Sequence, residues 1–163
     1  QKTMPPARST QKLAFPLFLP LESFTIDFCQ KSVYLRAGVF KMSPVLVVED
    51  NEINAEIIMT LLEEYGIPGE LAVDGIDSVE KCTDKPKDYY SLILMDIHMP
   101  RMNGYEAARK IKMDLGINVP IVAQTATHTT EISIKEHGEY IIDYLYKPFK
   151  PDQLFAILQR FVV

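Results

Sequence analysis

From about residue 44 onward, short apolar runs alternate with stretches whose apolar residues recur at helical spacing. VLVV (45–48) is continuously apolar and rich in β-branched residues, which suits a central strand buried on both faces. It ends abruptly in Glu49 and Asp50. Over residues 51–65, Ile53, Ile57, Ile58, Leu61 and Leu62 recur at helical spacing and predict a helix, stopped by Gly66 and Pro68. The unit recurs, with a strand over 69–73 and a helix over 76–85 that turns Val79 inward. SLILMD (91–96) is a second apolar run that terminates in acid. Residues 106–115 read as a helix, VPIVAQ (119–124) as the fourth strand, and 130–138 as a weaker, more polar helix. YIIDYLY (140–146) is strand-like, and 151–161 opens with proline at a helix start and carries Leu154, Ile157, Leu158 and Phe161 inward. Five strand and helix alternations predict a parallel sheet with helices on both faces. In such sheets ligands sit beyond the carboxyl ends of the strands, where the strand order reverses.

Residues 1–43 have no clear period and are interrupted by Pro5, Pro6, Pro16 and Pro20. The domain boundary is therefore placed at 43/44, with an extension or linker before it. The apolar stretch LAFPLFLPL is broken by prolines and falls far short of the roughly 20 residues that span a bilayer. No small-residue cleavage site follows it, so a signal peptide is a poor fit, and no membrane contact by this segment is expected. A net charge of −5, with basic residues scattered rather than clustered, gives no electrostatic footprint for direct nucleic-acid binding. Cys29 and Cys82 stand without CxxC spacing or histidine pairs, which argues against a disulfide framework or a zinc site.

Three carboxylates, Glu49, Asp50 and Asp96, end two separate apolar runs. If those strands are neighbours, the acids meet at one sheet edge, repel one another and call for a cation. Carboxylate oxygens are hard ligands and suit magnesium, which keeps waters and takes a phosphate oxygen. For any one of them alone, the plainer reading is a solvated loop residue.

VLVVEDN, LILMDIHMPRMNGYEAARKIK, PIVAQTA and DYLYKPF, in this order, resemble the receiver domains of two-component response regulators and hybrid histidine kinases. The resemblance covers about residues 44–162 and implies a flavodoxin-like fold with strand order 2-1-3-4-5. It implies that Asp96 is the phosphoacceptor, acting as nucleophile. Mg2+ is then held by Glu49, Asp50, Asp96 and the backbone carbonyl of His98. Lys147 matches the lysine that offsets charge on the phosphoryl oxygens, a task of positioning and electrostatics. Thr125 matches the hydroxyl that draws toward the phosphoryl group, and Tyr144 the mobile aromatic that follows it, with Tyr146 as an alternative occupant. His98 and Thr127 occupy positions that tune the phosphoryl lifetime, Pro100 restricts the loop after Asp96, and Gly104 permits a tight approach into the next helix. His128 and His137 read as surface residues.

The implied partners are a histidine kinase or a histidine phosphotransfer protein, in the cytoplasm, with homodimerisation left open. The domain is expected to catalyse its own phosphorylation and dephosphorylation. With no effector domain after Val163, the chain is expected to be either a stand-alone receiver or a fragment of something larger, and Gln1 at the start hints at a fragment. The motif style, MDIHMPRMNGYEAARKIK with AQTA, most resembles receivers attached to hybrid sensor kinases, in which case SFTIDF (23–28) is the trailing strand of a kinase domain. HGEYIID departs from the family pattern, which places a small residue and glycine just before the fifth strand. That departure motivates a second reading, a receiver fold kept as a phosphorylation-independent interaction module. A flavin or nucleotide enzyme on the same fold is disfavoured, because EDNEIN lacks the glycines that let a phosphate approach the backbone.

Overall fold

The computed structural model describes residues 42–126 and 139–162. Five parallel strands run in the order β2-β1-β3-β4-β5. They are β1 (Val45–Val48), β2 (Gly69–Ala72), β3 (Leu92–Asp96), β4 (Ile121–Thr125) and β5 (Asp143–Tyr146). Helices α1 (Glu52–Glu64), α2 (Gly75–Thr83), α3 (Gly104–Arg109) and α4 (Pro151–Phe161) lie between and after them. The expected helix at 130–138, together with Thr127, His128, His137, Gly138 and all of 1–41, lies outside the described residues.

The apolar runs become central strands because both of their faces are covered. Val45, Val47, Leu92 and Leu94 pack with α1 and α4, through Ile58, Leu62, Leu154 and Leu158. Leu46, Val48, Ile93 and Met95 pack on the other side with Ala107, Ala108 and Cys82 from α3 and α2. Every residue of β1 is fully buried. Burying one such side chain contributes about 1.5–3 kcal/mol, against about 1 kcal/mol for a helix cap. The apolar strands therefore set the architecture, and the caps set where helices begin. Asn51, Asp74 and Asn103 cap α1, α2 and α3, and Asn103 forms a reciprocal capping box with Glu106. Gly66, at φ 69°, closes α1 through its N–H to Glu63.

Several elements differ from the sequence reading. The apolar residues at helical spacing in α1 do not form one buried face: Ile53 and Ile57 are 69% and 51% exposed, while Ala55, Ile58 and Leu62 face the core. α3 starts at Gly104, two residues early, because the capping box fixes its first turn. It passes after Arg109 into a π-helical turn, Lys110–Asp114. β4 begins at Ile121 rather than at 119, after Pro120, which has no N–H to give a ladder, and it includes Thr125. β5 is confined to Asp143–Tyr146, shorter than the apolar segment that contains it.

Candidate functional site

The strand order places β1 beside β3, in register from Val45↔Leu92 to Val48↔Met95. Glu49 and Asp96 therefore stand side by side at the carboxyl edge, with Asp50 next to them. Strand alternation continues the face of Val45 and Val47 into Glu49, and that of Leu92 and Leu94 into Asp96. Glu49 and Asp96 are 2% and 7% exposed, and Asp50 is exposed. One oxygen from each of the three lies within 4.8 Å of the others.

Two buried like charges need compensation, and the protein supplies it from the residue just after β5. Lys147 donates to Glu49 Oε2 at 2.5 Å and to Asp96 Oδ2 at 2.6 Å. The remaining two oxygens are also satisfied: Asn54 Nδ2 donates to Glu49 Oε1 at 2.9 Å, and the His98 N–H donates to Asp96 Oδ1 at 2.9 Å. Burial pulls the Lys147 pKa down, but hydrogen bonds and charge from Asp96 and Glu49 more than offset this and hold it above its ordinary value. Three carboxylates against one ammonium leave an excess of two negative charges, with one carboxylate open to solvent. That charge deficit and the all-oxygen donor set fit a divalent hard cation.

Neighbouring backbone fixes the acids. A Cβ on Gly104 would sit 2.2 Å from the Asp96 carbonyl oxygen, so only glycine lets α3 start this close to β3. Arg101, at φ 67°, makes an ion pair with the buried Asp74 and ties the loop after Asp96 to the start of α2. On the opposite face from the acids, Thr125 ends β4 and is 3% exposed, in register with Tyr146. Tyr144 lies one step back on that face, stacked on Tyr146 with ring centroids 6.4 Å apart. Its hydroxyl is buried with no well-formed hydrogen bond among the described residues. Burial first, then the nearby Tyr105 and Tyr146, push its pKa up to about 12. Beside Lys147, a cavity of about 310 Å³ opens between Ile57, Ile58 and Asn54 of α1 and Ala126, Pro148 and Phe149.

The sequence profile of the response regulator receiver domain matches residues 45–159. The chain belongs to this family. It is 41% identical over 122 residues to the osmosensing histidine protein kinase SLN1 of Saccharomyces cerevisiae, a match that covers 72% of this chain and 10% of that kinase. It is 32% identical over 156 residues to the S. cerevisiae transcription factor SKN7, covering 94% of this chain and 24% of that protein. Among solved structures it resembles the receiver domain of sensor histidine kinase PA1611 from Pseudomonas aeruginosa, which has a magnesium ion coordinated in its active site cleft. The identity there is 36% and the TM-score 0.63, covering 74% of this chain and 97% of that one. The receiver fold, flavodoxin-like with the order 2-1-3-4-5, is therefore shared with domains of hybrid histidine kinases and response regulators. No helix among the described residues is long and apolar enough to cross a membrane.

The structure thus gathers Glu49, Asp50, Asp96, Lys147 and the His98 N–H at one edge, with Thr125 and Tyr144 on the other face beside it. Reading the sequence did not single out Asn54, which orients Glu49, the Arg101–Asp74 pair, or the buried Gln124. Asn54 carries no signal beyond being polar three residues after a cap. Gln124 does carry one, as a lone amide inside an apolar strand.

Proposed function

We propose that this domain accepts a phosphoryl group on Asp96 from a phosphohistidine and changes its surface in response. The observation that carries this reading is the 2.6 Å contact between Lys147 and Asp96 inside a three-carboxylate cluster. Asp96 Oδ2, the oxygen facing Lys147, attacks phosphorus; the new P–O bond forms as the P–N bond to imidazole breaks, and the imidazole leaves with the electron pair. Glu49, Asp50, Asp96 and the His98 carbonyl would hold Mg2+, which when bound neutralises charge on the transferring phosphoryl oxygens. Lys147 offsets the same charge from the other side, and Asn54 keeps Glu49 oriented. Thr125 donates its hydroxyl to a phosphoryl oxygen, and Tyr144 follows it on their shared face.

The donor is a histidine kinase or a histidine phosphotransfer protein. Its contact surface is supported by two exposed isoleucines, Ile53 and Ile57, on the side of α1 that faces away from the core and beside the cavity at Lys147. We assign residues 44–163 to the receiver and place it in the cytoplasm; the likeness to SLN1 supports a place within a hybrid kinase over a stand-alone receiver.

The test is label transfer from a phosphorylated histidine phosphotransfer protein in the presence of Mg2+. The parent chain should take up label, and Asp96→Asn should take up none while unfolding at a similar temperature. Equal labelling of the two chains, or none in the parent, would overturn the proposal.

A further inference from the structure

Gln124 is fully buried in β4, and neither its amide nitrogen nor its side-chain oxygen has a hydrogen-bond partner among the described residues. Buried polar groups in native proteins are nearly always paired, so two unpaired atoms on one side chain need a reason.

Register and alternation locate the amide. Gln124 is the partner of Asp96 on one side and of Leu145 on the other. Val122, Leu94 and Leu145 all point toward α1 and α4, so Gln124, Asp96 and Lys147, each two residues further on, share that face. Lys147 starts just past β5 and ends on Asp96 of β3 and on Glu49 just past β1, so its stem crosses β4. Beneath that path β4 presents Gln124 and then Ala126, which lines the cavity with Lys147. The side-chain polar group that β4 offers the lysine is therefore the Gln124 amide.

An ammonium has three donors, and Glu49 and Asp96 take two of them. A cation gathered by Glu49, Asp50 and Asp96 competes with Lys147 for the Glu49 oxygen. We propose that Gln124 is a positioning residue for Lys147: its side-chain oxygen accepts a lysine N–H once Glu49 turns to the cation, and keeps the ammonium over Asp96. This rests on the phosphoacceptor reading. The amide is unpaired while Lys147 is shared between Glu49 and Asp96, and gains its partner when Glu49 turns away, so it favours the arrangement in which the ammonium faces Asp96. A neutral oxygen suits this task, because a fourth carboxylate would deepen the negative excess and an aliphatic residue would leave the lysine unsupported.

Gln124→Leu and Gln124→Met replace the amide with apolar atoms of similar size. In chelator, both variants of the full chain should melt at or above the parent, because the unpaired amide is gone. With saturating Mg2+ and acetyl phosphate, modification of Asp96 should slow about tenfold, the order one hydrogen bond to a charged group carries. The half-saturating Mg2+ concentration should stay near that of the parent, because the cation's oxygens are untouched. In the parent, the Gln124 side-chain NH2 signals, assigned by their loss in both variants, should shift when Mg2+ is added. Parent-like modification rates in both variants would overturn the proposal, as would a fall in rate matched by a large fall in melting temperature in both. A parent chain that is not modified at Asp96 would overturn the phosphoacceptor reading itself.

Discussion

Replacing Lys147 by Met keeps most of the side chain's bulk and removes its charge, which strands Glu49 and Asp96. The side chains of Glu49 and Asp96 are 1% and 10% exposed and that of Lys147 is 17% exposed, so this is a largely dry ion triad. Removing one partner of a buried ion pair costs about 3–5 kcal/mol. The site opens to solvent at Asp50, so the low end of that range, about 3 kcal/mol, applies here. For a domain of this size, that corresponds to a fall of roughly 10 °C in Tm. Mg2+ should narrow this gap, since a divalent cation supplies the charge that the lysine no longer does. Thermal unfolding of parent and Lys147→Met in chelator and in saturating Mg2+ reads both numbers. The variant should melt well below the parent in chelator and gain more from Mg2+ than the parent does. Equal stability in chelator, or an equal Mg2+ gain, would refute the claim that Lys147 holds these acids together in place of a cation.

Gly104→Ala should destabilise by about 1–3 kcal/mol, because the new Cβ meets the Asp96 backbone oxygen and backbone cannot swing aside; urea unfolding measures it. Ile53→Asp should leave stability within about 0.5 kcal/mol of the parent, because the side chain is exposed. It should slow transfer from a phosphorylated protein donor more than modification by acetyl phosphate. The pH dependence follows from Lys147, whose pKa rises on folding from its ordinary 10.5. Such a group stabilises fully below its unfolded pKa and loses that contribution as pH rises through the folded value. The stability difference between parent and Lys147→Met should therefore be flat from about pH 6 to 9 and shrink only above about 10.5, as urea unfolding at stepped pH would read.

Much of this was legible in the residues, and the failures have physical causes. VLVV and LILMD could be placed because a strand buried on both faces leaves a continuous apolar run, and the acids that end them mark the sheet edge. α1 misled because helical spacing counts apolar residues without saying what they face. At about 100° per residue, Ile53 falls on the opposite side from Leu62, so the pattern merged a core stripe with an exposed one. The π-turn after Arg109 left no mark, since KIKMD fits an α-helix equally well. Ile141 and Ile142 are apolar without being strand, so hydropathy overran the start of β5. The four hydrogen bonds that Glu49 and Asp96 accept come from α1, the residue after β5 and the loop after β3, and a juxtaposition across 98 residues of chain is not readable from spacing.

The central claim is that Asp96 becomes phosphorylated in a cation-dependent way, and peptide mass mapping after acetyl phosphate treatment tests it most directly. One added phosphoryl group on the Asp96 peptide, present with Mg2+ and absent with chelator, is the predicted result. No gain, a gain on another residue, or the same gain in chelator would contradict it.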